Sequence, residues 1–225
     1  MPPSKSIVVP NALLRQSLFS IERVVGPIGL NAVLRKSGME RFLMNLPPED
    51  LAPSVSSADY ARLNQVVEDL YGRASPMILR HIGETTFAHL LLPSLPIQNM
   101  STLAFVACSH QEKNVQILRE LANLSEQLNP EWQPTIEEQA NHIVYTLDDC
   151  PICIGRFSQT PICHVYAGVL TEAVRFATGH LPSVEETECV AMGYPACRFE
   201  IRDRISRTIE LGSNESILEP ARTGS

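Results

Sequence analysis

The sequence predicts an α+β fold in which helices pack on a small antiparallel sheet. Three observations carry that reading. Apolar residues recur at helical spacing as far as Leu128, the spacing changes to alternation after Pro134, and Gly193-Tyr194-Pro195-Ala196 separates two short alternating segments near the C-terminal end. Helices first and strands last is the order of an α+β domain rather than of a doubly wound parallel sheet.

The elements follow in order. Leu13, Leu14, Ser17, Leu18, Ile21 and Val24-Val25 keep helical spacing, Gly26-Pro27 stops the run, and a second short helix covers Leu30 to Lys36 before Gly38. Residues 1–46 therefore read as a helical arm that packs on the body or on a second copy, which makes it a candidate dimerisation element. Ser57 or Ala58 begins a helix with the stripe Tyr60, Leu63, Val66-Val67, Leu70 and Tyr71, has Asp59 in its acid-favouring first turn, and ends at Gly72. Pro76 to Leu92 reads as another helix. Thr102 to Leu128 reads as one long helix with Val106, Val115, Leu118, Leu121 and Leu124 on its buried face and Cys108 as an apolar buried thiol.

Ile136 to Leu147 contains Ala140, Ile143, Val144, Tyr145 and Leu147, the pattern of a half-buried strand. After a cysteine-bearing loop, Thr160-Pro161 is an N-cap and first-turn pair for a helix that runs through Val165, Val169, Leu170, Val174 and Ala177 to Gly179. Val184 to Ala191 and Cys197 to Arg202 form a hairpin. The main domain is then 47–205, and the small and charged residues 206–225 read as a flexible tail.

Composition narrows the function. A net charge of −7 over 225 residues opposes a sequence-independent grip on nucleic acid. No run approaches the roughly 18 to 20 consecutive apolar residues of a spanning helix, and the N-terminus lacks a charged-then-apolar signal pattern, so the reading is a cytoplasmic protein without a membrane span. Six cysteines in a reducing compartment point to metal binding or redox chemistry before disulfides.

Five of those cysteines fall in the last third of the chain: Cys150 and Cys153 in a CxxC, then Cys163, Cys189 and Cys197. Cys163 lies at a helix start, where free N–H groups and the positive dipole end favour a thiolate. Cys189 and Cys197 flank the hairpin turn. Glu186 precedes Cys189 by three residues, and a regular strand points such a pair to opposite faces, so Glu186 joins the cysteines only if the strand starts late or carries a bulge. On spacing alone, zinc, a redox pair and buried thiols all remain open.

The run 184–201, VEETECVAMGYPACRFEI, closely resembles the signature of the 4-vinyl-reductase domain found in hydrocarbon-binding proteins. Cys150-Pro151-Ile152-Cys153, Pro161-Ile162-Cys163-His164 and Ala167-Gly168 resemble that family's upstream pattern, and the likeness spans roughly residues 57–202. The resemblance implies a fold like that of vesicle-tethering transport-particle (TRAPP) subunits, the ligand-binding fold of NO signalling and Golgi transport. It also implies a zinc held by Cys163, Glu186, Cys189 and Cys197, with Cys150 and Cys153 as alternative ligands or a redox pair.

Function follows as an implication too: a zinc-containing module that senses or carries an aromatic, lipid-like or tetrapyrrole molecule, working as a homodimer or through a protein partner. His142, Tyr145, His164 and Tyr166 are candidate ligand-binding residues. The family's phenol sensors hold the ligand hydroxyl with a histidine and a tryptophan, and Trp132, in a proline-flanked loop, does not match that pattern. One alternative is a vinyl reductase or accessory protein of (bacterio)chlorophyll biosynthesis, although the chain shows no dinucleotide fingerprint and no evident flavin or iron–sulfur motif. Another is a pure interaction module.

Overall fold

The computed structural model describes residues 8–95 and 103–203. The expected tail, 206–225, and the expected helix start at Thr102 lie outside the described residues.

Strand β1 (Val8–Pro10) pairs antiparallel with β2 (Pro53–Ser56), and α1 (Asn11–Ser37) rises between them. At Gly26, φ is 77° and ψ 170°, so α1 is two helical segments across a kink. Glycine reaches that φ without steric cost, and Pro27 brings no N–H to continue the ladder, so the break falls where the sequence places it. Leu14, Leu18 and Ile21 before the kink, and Leu30, Val33 and Leu34 after it, are buried, and α1 packs on α2 (Ser57–Tyr71) and α3 (Ser75–Thr86). By length and composition alone α1 is apolar enough to cross a membrane, yet much of its apolar surface is already spent on this core.

Helix α2 starts where Ser56 Oγ accepts the Asp59 N–H at 3.1 Å. Helix α3 continues through one π-type turn (Phe87–Leu91) into the short α4 (Leu92–Ser94). The expected helix from Thr102 to Leu128 is instead two, α5 (Leu103–Ala107) and α6 (His110–Leu128). Ser109 and Glu112 force the restart as a capping box: the Glu112 N–H donates to Ser109 Oγ (3.3 Å) and the Ser109 N–H to Glu112 Oε2 (2.7 Å). Cys108 therefore sits half-buried in the break, and Val106, expected inside, is 63% exposed, whereas Val115, Leu118, Leu121 and Leu124 are buried.

The single strand expected over Ile136 to Leu147 is a hairpin, β3 (Thr135–Glu138) and β4 (Ile143–Asp148), closed by the Gln139 N–H donating to the His142 carbonyl at 2.9 Å. Asn141 supplies turn chemistry that the alternating apolar residues masked. With β5 (Ser183–Glu188) and β6 (Ala196–Arg202) they form one antiparallel sheet in the order β3-β4-β6-β5. Register puts Tyr145 opposite Phe199, Leu147 opposite Cys197, and Glu186 opposite Phe199, so these side chains share one face.

Helix α7 (His164–Thr178) packs on α3, α6 and β5. It meets α3 backbone to backbone: a Cβ on Gly83 would stand 1.9 Å from the Val165 carbonyl oxygen, and one on Gly168 would stand 2.0 Å from that of Arg80. Arg80 also donates to the Val184 carbonyl at 2.9 Å, tying α3 to the hairpin that carries the site.

Candidate metal centre and adjoining cavity

Six donors converge from three places. Cys150 and Cys153 ride a tight turn after β4, in which the Cys153 and Ile154 N–H groups both donate to the Cys150 carbonyl (3.1 and 3.0 Å). Cys163 stands at the start of α7, and Glu186, Cys189 and Cys197 come from the β5–β6 hairpin. All five thiols are fully buried.

Thr160-Pro161 does not start α7; the first helical residue is His164, with Cys163 at the N-cap position. The cap comes from another strand, because Glu186 Oε2 accepts the Cys163 N–H at 2.8 Å. The bulge that Glu186 requires is present. Glu186 pairs with Phe199 and Glu188 with Arg198, leaving Thr187 as an extra residue, so Glu186 and Cys189 reach the same face.

Two groups of four have all their donor atoms within 4.8 Å of one another: Cys150, Cys153, Cys163 and Cys197, and Cys153, Glu186, Cys189 and Cys197. Sulfur separations within them include 3.4 Å for Cys150–Cys163, 3.6 Å for Cys153–Cys189 and 3.9 Å for Cys189–Cys197. Sulfurs placed tetrahedrally around zinc at its usual bond length stand about 3.8 Å apart, so the cluster has the spacing of a metal site. Of the four ligands the resemblance implies, Cys163 falls in the first group, Glu186 and Cys189 in the second, and Cys197 in both. Cys150 and Cys153 are also within the cluster.

The protonation of these groups shows what the cluster lacks. Glu186 Oε1 is sealed from solvent and has no hydrogen-bond partner among the described residues. Burial, then the Cys197 and Cys189 sulfurs, pushes the Glu186 carboxyl up to about 10. Burial, with Cys150 adding to it, pushes the Cys163 thiol well above its usual range. The helix N-terminus alone therefore does not make Cys163 a thiolate. A bound divalent cation reverses both effects, since it favours the charged form of each ligand.

Against this cluster lies an apolar cavity of about 60 Å³, walled by Pro151, Ile152, Val165, Tyr166 and Val169 on the cluster side and by Leu121, Leu91, Leu13 and Trp132 beyond. Its polar groups are few. Tyr166 Oη lies 3.0 Å from Tyr145 Oη and 3.4 Å from Ser125 Oγ, and Tyr60 Oη lies 2.7 Å from Ser17 Oγ. Burial pushes the Tyr60 and Tyr166 phenols up to about 12, so both are neutral donors. The Trp132 indole N–H is buried and has no partner among the described residues.

Of the residues singled out in the sequence, Tyr166 lines the cavity and Tyr145 stands behind it. His164 is half-buried at the start of α7, and burial, then Arg80 and Arg156, lowers its pKa. His142 lies elsewhere, at the β3–β4 turn beside His110 and Asp203. Sequence reasoning missed Ser125, although it sits four residues after Leu121 on the buried face of α6. Trp132 also escapes it, because the flanking Pro130 and Pro134 mark a loop rather than a cavity wall.

Fold and site together define an α+β domain with a metal-competent thiol cluster beside an apolar cavity. Residues 143–203 match the family model of the 4-vinyl-reductase (4VR) domain, and this segment, which contains all six donors, belongs to that domain family. The chain is 25% identical over 205 residues to the bacteriochlorophyll synthase 23 kDa chain of Cereibacter sphaeroides, a match covering 85% of this chain and 88% of that protein. Its fold is similar to H-NOX domains. One comes from a study of heme distortion in the H-NOX family (TM-score 0.58, 13% identity, covering 95% of this chain and 100% of that one). A second comes from work on H-NOX activation (TM-score 0.55, 15% identity, 87% and 96%). A third is an oxygen-binding H-NOX domain related to soluble guanylate cyclases (TM-score 0.52, 13% identity, 95% and 100%). At such identities the likeness is one of fold.

Proposed function

We propose that this chain is a zinc-clamped module that binds a small apolar or aromatic molecule, as a sensor or carrier. The observation that carries this reading is a shared wall. Pro151 and Ile152 lie between Cys150 and Cys153, and Val165 and Tyr166 closely follow Cys163; all four line the cavity. Zinc on the cluster fixes the turn after β4 and the start of α7, and thereby the cavity's shape. A zinc held by four protein donors has no open position for activated water, so its contribution here is structural. The ligand work falls to the chain's own groups, with the Tyr166 hydroxyl and the Trp132 N–H orienting a polar edge and Leu121, Val165 and Val169 covering the apolar remainder.

Size constrains the ligand. Sites for drug-sized molecules run to about 300–1,000 Å³, several times the present cavity, so a small aromatic displaces the walls least. The place to widen is the π turn Phe87–Leu91, whose last residue lines the cavity, because such turns interrupt the regular ladder. Heme, named for a structural neighbour, does not fit these residues: among the described residues no imidazole or thiolate sulfur lines the cavity to serve as axial ligand, and the volume is far too small. A second reading, an accessory protein that carries a tetrapyrrole in bacteriochlorophyll synthesis, draws support from the Cereibacter relative and requires the larger opening.

Trp132 is the chain's sole tryptophan and lines the cavity, so its fluorescence reports occupancy directly. Titration of the zinc-loaded protein with small phenols, fatty acids and porphyrins is expected to shift or quench that emission saturably for at least one class, and Tyr166→Phe is expected to weaken the hydroxylated ligands. No saturable response from any class, with zinc bound, overturns the ligand-binding reading.

A further inference from the structure

The cluster holds more donors than one tetrahedral ion uses. If a single zinc takes Cys153, Glu186, Cys189 and Cys197, then Cys150 and Cys163 stay fully buried with their sulfurs 3.4 Å apart and no ion between them. If it takes Cys150, Cys153, Cys163 and Cys197, the sealed Glu186 Oε1 and the buried Cys189 are stranded instead. The two groups overlap in Cys153 and Cys197, and that overlap resolves the conflict.

We infer that the site is binuclear, with two zinc ions sharing Cys153 and Cys197 as bridging thiolates. Cys150 and Cys163 complete the first ion, and Glu186 and Cys189 complete the second. Each ion then has four donors, and none of the six is left over. A thiolate sulfur has lone pairs enough to bridge two metals, and the shared pair belongs to both groups with every donor atom already within 4.8 Å of its group.

Charge favours the same arrangement. Five thiolates and a carboxylate bring six negative charges into a buried site; one dication leaves four of them uncompensated and two dications leave two. Backbone donors face part of the remainder, since the Val190 N–H points at Cys197 Sγ (3.5 Å) and the Cys163 N–H at Glu186 Oε2 (2.8 Å). The arrangement also gives the CxxC turn a role that a single ion held by Cys163 and the hairpin leaves empty.

This inference rests on the metal clamp proposed above, and metal counting separates the two. Full-length protein purified in the presence of zinc is assayed for zinc per chain by elemental analysis, and its zinc-edge X-ray absorption is recorded. Two zincs per chain with a metal–metal scattering shell are expected. Cys150→Ser is expected to halve the zinc content, and Cys153→Ser or Cys197→Ser to remove both ions. Should these variants fail to fold, stepwise zinc release from the unaltered protein under chelator, followed by native mass spectrometry, reads the same count through a one-zinc intermediate. One zinc per chain, with two cysteines open to alkylation once the protein is loosened by denaturant, overturns the pair and leaves the clamp. Zinc-free protein, with or without a Cys150–Cys163 disulfide, overturns both.

Discussion

The thiol cluster and the cavity share a wall of four residues but are built by opposite means. The cluster is crowded with donors and lacks the cations that would justify burying them; the cavity is short of atoms and holds unmet donors such as the Trp132 N–H. All six cluster donors come from residues 150–197, placed by a tight turn, an N-cap and a bulge. The cavity draws on α1, α3, α6, α7 and the loop carrying Trp132, so its shape depends on how distant elements dock. A centre with strong directional bonds can thus be written in local spacing, whereas a binding volume belongs to the packing of the whole domain.

The sharpest way to break the comparison is to remove the metal. Structural zinc contributes about 10–16 kcal/mol in small peptides that fold only with it, and even a fraction of that is large beside the stability of a domain. Chelation of the zinc-loaded protein is expected to lower Tm by on the order of 10–20 °C, at roughly 2–4 °C per kcal/mol for a chain of this size. Calorimetry with and without chelator checks it. The cavity should fail with the cluster, seen as loss of any ligand response at Trp132, because the two share their wall.

The helix crossing offers a disturbance that starts from the other side. Gly168→Ala places a methyl carbon 2.0 Å from the Arg80 carbonyl oxygen, and backbone cannot step aside as a flexible side chain does. Parting α3 from α7 is expected to cost about 1–3 kcal/mol or more, a loss of several degrees in Tm, while zinc content stays unchanged. Parallel loss of zinc would show that the docking of α7, and not local spacing alone, holds the cluster together.

The same division separates what is legible in the sequence from what is not. The kink at Gly26-Pro27, the stop at Gly72 and the closing hairpin carry punctuation that acts within a few residues, and each is readable. The bulge is readable as a condition on Glu186. The break between α5 and α6 is hidden, since the apolar residues from Val106 to Leu124 run on through a capping box that Ser109 and Glu112 nonetheless spell out. The start of α7 is out of reach, because its cap is a carboxylate from a strand 23 residues away. The cavity is least legible: Trp132 turns inward only because α1, α3 and α6 leave a space there.

Alkali tests the cavity side by itself. Tyr60, raised to about 12, and Tyr145, raised well above the usual range, keep their protons in the folded protein, chiefly because burial penalises the phenolate. The unfolded chain releases those protons near pH 10, so above that pH it binds fewer protons than the folded state and stability falls as pH rises. For Tyr60 the window runs from about pH 10 to about 12, with a slope on the order of 1 kcal/mol per pH unit. Thermal melts across this range are expected to show a shallower decline for Tyr60→Phe, and an unchanged slope would mean that Tyr60 ionises freely in the folded state.

The finest comparison lies inside the hydroxyl group at the cavity wall. Tyr166→Phe removes the hydroxyl that Tyr145 bonds at 3.0 Å, leaving the fully buried Tyr145 hydroxyl without that partner, and is expected to cost about 1–2 kcal/mol. Tyr145→Phe costs less, because Tyr166 keeps its longer contact to Ser125 at 3.4 Å. The double variant has no orphaned phenol and should be more stable than the sum of the two single losses allows, a coupling readable by denaturant titration. Additive losses would place water or a ligand hydroxyl between the two rings, and the cavity would then be serving a polar group even in the absence of an apolar guest.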